Sequence, residues 1–205
     1  WAYEHILGFN DGDDVFKIPP AAIDINDTRA LHVAELTRDA LRNIDIHIAG
    51  SDILICGASY RQDVGDTRYS GSELVLRRIK EMGGDVKVHD PYVDNWVELE
   101  HQDTFPNSWS KYFRKQEELK ELKVQKNLQD ALVDAEAMIL AVPHQEYMDL
   151  NPDDIVKWAG QPLAIIDCFG ILDDDKIRRY FELGCEVKGL GRGHIQHIKK
   201  EVLRK

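Results

Sequence analysis

From residue 50 onward the sequence alternates short apolar runs with longer amphipathic stretches, and this rhythm constrains the fold more than any other feature. Apolar runs predict strands at Asp52–Cys56, Asp85–His89, Ala137–Ala141, Leu163–Asp167 and Glu186–Gly189. Helical spacing predicts helices over Gly71–Met82, Leu128–Ala135, Asp153–Trp158 and Asp173–Leu183, with a last one from about Ile195. Strand–helix alternation of this kind gives parallel strands joined by right-handed helical crossovers. The strands are continuously apolar, as strands covered on both faces are. The expected fold class is α/β, a doubly wound parallel sheet.

Two stretches stand outside the rhythm. Pro19-Pro20 can open a helix, and apolar residues from Ala21 to about Ile44 form an approximate helical stripe. A helix of that length suits a bridge between domains or a surface packed on a second subunit. Residues 94–126 are long for a connection inside a compact domain and read as a peripheral insertion, with an exposed helix over Lys115–Lys123. The expected division is therefore a tail at 1–20, a central helix at 21–48 and a sheet domain at 49–205. The opening residues lack an initiator Met and read as the middle of a longer protein.

Charge and cysteine content narrow the partners. With 26 Lys and Arg against 37 Asp and Glu, the net charge of −11 argues against a nucleic-acid partner. No apolar run approaches the roughly 20 residues that cross a membrane. Cys56, Cys168 and Cys185 show no metal or redox spacing and read as free thiols of a reducing cytoplasm.

The most unusual stretch is GASYRQDVGDTRYSGSE, residues 57–73, directly after the first predicted strand. Open α/β sheets bind ligands at that end of the strands. The loop is far longer than a G-x-G-x-x-G turn and is not a dinucleotide fingerprint. Ser70 and Glu73 predict a capping box, and Tyr69 and Leu74 a hydrophobic staple. Arg61 and Arg68 offer planar forks suited to a pyrophosphate or carboxylate, with Asp63 and Asp66 placed to orient them. A surface turn with local ion pairs of little energetic weight is the other reading, and residue types alone do not separate the two.

Four pieces in the correct order resemble the C-terminal UDP-binding domain of the UDP-glucose/GDP-mannose dehydrogenase family. GASYRQDVGDTRYS is similar to its A-F-K-x-x-x-x-D-T-R loop, and GGDVKVHDPYV to its second strand ending in Y-D-P. IDINDTRALHVAELTRDAL is similar to its central helix, and LQDALVDAEAMILAVPHQEY to its third-strand segment. AIIDCFGILD with GCEVKGLGRG is similar to its D-x-R-x-x-L and G-x-G-R ending. The resemblance covers residues 20–195 and implies a Rossmann-like domain preceded by a dimerisation helix.

It also implies site residues. Tyr60 and Arg61 would line a nucleotide-sugar site, with Arg61 in the loop lysine position. Arg68 would reach toward NAD, and Arg192 would contact the nucleotide. Phe169 stands where the D-x-R motif has arginine, a departure that bears on which sugar is accepted. The family oxidises the sugar C6 alcohol to a carboxylate in two NAD-dependent steps, through a thioester on a cysteine in a G-x-C-x-x-K-D motif. That motif does not occur in this sequence. No catalytic residue is therefore nominated. The resemblance implies the UDP-sugar half of a homodimeric enzyme, inactive without its N-terminal NAD-binding domain. The rival reading is a stand-alone nucleotide-binding or regulatory module without catalysis.

The remaining candidates carry plainer readings. His194 and His197 have metal-compatible spacing, but no third ligand type lies nearby, so they read as surface histidines and no metal site is expected. Asp90 ends the second strand, where ribose is bound in dinucleotide folds, yet Pro91 marks it equally as a turn residue. Gly189, Gly191 and Gly193 permit a close backbone approach, and His144-Gln145-Glu146 form a plausible cleft rim. Trp96, Trp109 and Trp158 read as packing residues.

Overall fold

A computed structural model describes residues 18–100, 113 and 116–204. Helix α1 (Ile18–Arg42) opens the described chain, with both prolines in its first turn, where a missing N–H costs nothing. Its C-terminal half is the packed half. Val33, Ala34, Thr37, Ala40 and Leu41 are buried along one stripe, whereas Ile18 and Ile25 are exposed. Asp45 in the left-handed region (φ 60°) ends the helix, and the Ile46 N–H returns to the Leu41 carbonyl at 3.0 Å.

The sheet follows as β1 (Asp52–Cys56), α2 (Gly71–Glu81), β2 (Asp85–His89) and the single turn α3 (Val97–Glu100). A 3-10 turn at Glu117–Glu121 leads into β3 (Val124–Gln125) and α4 (Leu128–Leu132). Next come β4 (Ala137–Leu140), α5 (Gln145–Met148), α6 (Pro152–Ala159) and β5 (Ala164–Asp167). The chain closes with α7 (Asp174–Glu182), β6 (Glu186–Gly189) and α8 (Ile195–Val202). The described strands form one parallel sheet in the order β3-β2-β1-β4-β5-β6. This is the doubly wound, Rossmann-like arrangement, and its order reverses between β1 and β4.

Strand alternation sorts the core into two layers. Leu54, Cys56, Met138, Leu140 and Ile165 face α4, α6, α7 and α8. Ile53, Ile55, Ala137, Ile139, Ala164 and Ile166 face α1, α2 and the Trp96–Leu99 segment. Both faces are covered, which is why these strands show no polar alternation.

Four features differ from the sequence reading. The stretch read as a peripheral insertion contributes β3 at the sheet edge and buries Trp96, Leu99 and Leu119. Two residues of strand are too short to show a period, so β3 was invisible to pattern. Of the stretch read as an exposed helix over Lys115–Lys123, the described residues 116–123 contain the short 3-10 turn and no α-helix. The capping box forms by half: Ser70 Oγ accepts from Ser72 N at 3.3 Å, but Glu73 turns to Arg77 at 2.8 Å. Buried Arg77 also bonds Gln116 and the Glu98 carbonyl, so Glu73 is more valuable as its counter-ion than as a cap. The expected staple does not close either, since Tyr69 is 85% exposed while Leu74 is buried. Trp109 lies outside the described residues.

Candidate functional site

The loop from Gly57 to Ser70 is held by one buried carboxylate. Asp90, at the end of β2, accepts the Ala58 and Ser59 N–H groups on Oδ2 at 2.7 and 3.1 Å. Its Oδ1 accepts the Tyr92 and Val93 N–H groups at 2.8 and 3.1 Å. His144 Nε2 adds a further contact to Oδ2 at 3.2 Å. Burial opposes ionisation of Asp90, but the bonds from His144, Ala58 and Tyr92 outweigh it and hold its pKa down to about 2. The reading of Asp90 as a turn residue is the one the geometry supports. Its oxygens are consumed by four backbone N–H groups, so they are not free for ribose hydroxyls. With a long loop in place of a tight glycine turn, this crossover does not fit the ordinary NAD site of such sheets.

His144 is the second anchor. Its Nδ1 accepts the Asp63 N–H at 2.8 Å, which places the ring proton on Nε2, toward Asp90. Ser59 Oγ is also 3.2 Å from Nε2, so Ser59, His144 and Asp90 superficially resemble a hydrolytic triad. They cannot act as one. Both partners share one ring nitrogen, and the Ser59 hydroxyl donates to the Arg61 carbonyl at 2.9 Å. Asp63 Oδ1 in turn accepts the Gln145 N–H at 3.2 Å, tying the loop to the start of α5.

Close backbone packing completes the mount. Gly57 has φ +108°, and a Cβ there would fall 2.5 Å from Val142 Cβ. A Cβ on Gly65 would fall 2.5 Å from the Tyr92 carbonyl oxygen. Both glycines are required by contact as well as, at Gly57, by conformation.

Beside this loop lies a cleft of about 240 Å³ at the carboxyl ends of the strands, near the β1/β4 reversal. Ser59, Tyr60 and the Tyr69–Ser72 segment form one wall, and Cys168 and Phe169 another. Helix α1 closes it with Asn26, Arg29, Ala30 and Val33, a run at helical spacing on one face.

The arginines singled out in the sequence have separate fates. Arg61 is exposed and lies over the Tyr60 ring at 5.6 Å from its centroid, while Tyr60 itself lines the cleft. Arg68 is bound by Asp66 through Nε at 2.9 Å and Nη2 at 2.6 Å. Hydrogen bonds from Arg68 hold Asp66 down to about 2, and the same pairing pushes the guanidinium pKa up. Asp66 therefore orients an arginine as expected, whereas Asp63 serves the backbone and His144. Arg192 Nη1 bonds buried Asp167 at 2.8 Å and the Leu172 carbonyl at 2.7 Å. Asp167 also accepts the N–H groups of Phe169, Gly170, Ile171 and Leu172, fixing the loop after β5. Sequence reasoning overlooked Arg29 and the anchoring role of His144. Both sit in family-like stretches, but only the fold brings them beside the loop.

Desolvation disfavours the thiolate form of all three cysteines. Burial pushes Cys168 up to about 12 and Cys185 up to about 11, and Cys56 is shifted further in the same direction. Among the described residues no group of three or more His, Cys, Asp or Glu side chains is arranged to hold a metal. His194 Nε2 instead faces Asp174 Oδ1 at 3.2 Å. No described helix is long and apolar enough to cross a membrane.

A six-stranded parallel sheet with a cleft at its switch point defines a Rossmann-like domain. Residues 54–174, more than half of the chain, match the UDP-binding domain of the UDP-glucose/GDP-mannose dehydrogenase family. The chain belongs to that family. A UDP-N-acetyl-D-mannosamine dehydrogenase of Methanococcus vannielii is 23% identical over 179 residues, covering 86% of this chain and 35% of the relative. Its counterpart from Methanocaldococcus jannaschii is 24% identical over 145 residues, covering 71% of this chain and 27% of the relative. A solved structure, an NDP-N-acetyl-D-galactosaminuronic acid dehydrogenase from Methanosarcina mazei Go1, superposes with a TM-score of 0.73 at 24% identity. It covers 96% of this chain and 38% of that one. The chain thus spans about a third of the length of the relatives it matches.

Proposed function

We propose that this chain is the nucleotide-sugar-binding part of an NAD-dependent UDP-sugar 6-dehydrogenase, which oxidises a UDP-hexose to the UDP-uronate in two steps. The observation that carries the reading is the family match over residues 54–174, which contain the loop and the part of the cleft lining from Ser59 to Phe169. Tyr60, on the cleft wall, and Arg61, stacked against it, bind the nucleotide-sugar. Uniform binding of the nucleotide positions the sugar, and the chemistry is done elsewhere. NAD is held by a second, N-terminal domain, which Arg68 faces, and the complete enzyme works as a homodimer through α1. The described thiols, two of them buried and Cys168 partly so, are all shifted upward, which suits a chain that supplies no nucleophile.

Calorimetry with UDP, UDP-sugars, NAD and coenzyme A tests the reading. The expected outcome is preferential binding of UDP and UDP-sugars, weakened about tenfold in Arg61→Ala. Preference for coenzyme A or NAD would favour the stand-alone module instead. A parallel assay should give no NADH from NAD and UDP-sugars with this chain alone.

A further inference from the structure

The cleft contains a cation from outside the 57–73 loop, on helix α1. Among the described residues that line it, Arg29 is the one charged side chain; the rest are serines, Asn26, aromatics and apolar groups. Arg68 and Arg192 are engaged by carboxylates, and Arg61 stacks on Tyr60 outside the lining. Arg29 makes no ion pair or hydrogen bond among the described residues, and it is exposed on α1. It lines the same cleft as Cys168 and Phe169.

The cleft lining also carries an aromatic residue, Phe169. Phe169 is 51% exposed although its backbone is rigidly held, with its own N–H and the next three all donating to Asp167. An aromatic ring held this way is preorganised, so stacking on it costs little ordering entropy. Tyr60 and Tyr69 add two further partly exposed rings on the loop side. A volume of about 240 Å³ falls below the roughly 300–1,000 Å³ of complete small-molecule sites, so the cleft takes part of a ligand rather than all of it.

We propose that Arg29 is the phosphate-binding cation of this cleft and that Phe169 is its stacking platform for the base, so that the cleft receives the nucleoside diphosphate end of the ligand. The proposal rests on the nucleotide-sugar reading above and assigns its recognition to two residues. Arg29 supplies a fork to phosphate oxygens, a role for which a planar guanidinium suits better than an ammonium. Phe169 stacks on the ring whether or not phosphate is present.

Calorimetry with UDP and with uridine on the same protein separates the roles. Arg29→Ala should weaken UDP about tenfold or more and leave uridine unchanged, with Arg29→Lys recovering part of the loss. Phe169→Ala should weaken both ligands by a similar factor, and Phe169→Tyr should restore them. Both side chains are exposed, so these variants should retain the wild-type circular dichroism spectrum and melting temperature, which are measured alongside. Unchanged UDP affinity in Arg29→Ala, or equal losses of UDP and uridine, overturns the role of Arg29. A Phe169→Ala protein that binds uridine normally overturns the platform. If the wild-type protein binds no UDP, the nucleotide-sugar reading itself fails, and this proposal with it.

Discussion

Asp90 offers the sharpest test of how the loop is held. In Asp90→Asn the side chain keeps its shape but exchanges one acceptor oxygen for an N–H2 group. Whichever way the amide turns, two backbone N–H groups then face a donor: Ala58 and Ser59 on one side, Tyr92 and Val93 on the other. A buried donor left unpaired costs roughly 1–3 kcal/mol. With some relaxation the variant should lose about 3 kcal/mol, which for a chain of this size lowers Tm by about 6–12 °C. The pH dependence gives a second, independent signature. The folded-state pKa of Asp90 is depressed from 3.8 to about 2, so its contribution is full above about pH 4 and is lost as pH falls toward 2. At 1.36 kcal/mol per pH unit the depression corresponds to about 2 kcal/mol. The gap between wild type and variant should therefore narrow by about 2 kcal/mol between pH 6 and pH 2. Asp66, likewise depressed, is present in both proteins and cancels in the difference. Urea unfolding followed by circular dichroism at both pH values measures this. A gap below about 1 kcal/mol at pH 6, or one that stays constant into acid, would refute Asp90 as the loop's ionised anchor.

Three further outcomes follow from the same geometry. Gly57→Ala combines a forbidden φ with a 2.5 Å contact on Val142 and should cost about 3 kcal/mol or more, read as a lower urea midpoint with unchanged slope. Arg192→Ala leaves Asp167 with four backbone donors but without its counter-ion, so a stability loss of about 2–3 kcal/mol is expected. If UDP affinity falls while stability holds, Arg192 contacts the nucleotide and the ion pair is secondary. Finally, Cys56 and Cys185 should react with a disulfide reagent at pH 8 only on unfolding; rapid native labelling of either would contradict their burial and raised pKa values.

Five of the six described strands, and the parallel architecture, were legible from periodicity, because each strand covered on both faces must be apolar throughout. β3 was not, because two residues carry no period and the edge position comes from pairing with Val88 and His89. The loop 57–70 was recognisable as a ligand-end loop from its place after β1. Its internal wiring was not, since Asp90 lies 31 and 32 residues from its loop partners and His144 lies 81 from Asp63.

The sequence by itself determined the order of elements, the two-sided burial of the strands and the family motifs around the loop. Those are local properties, set by which residues are apolar and at what spacing. Tertiary structure decided which charges remain available. Arg68 and Arg192 carry the same side chain as Arg29, but carboxylates meet the first two, whereas the packing of α1 against the sheet turns Arg29 into the cleft. The energy of a guanidinium depends on what stands within a few ångströms of it, and that neighbourhood exists only once the sheet has closed.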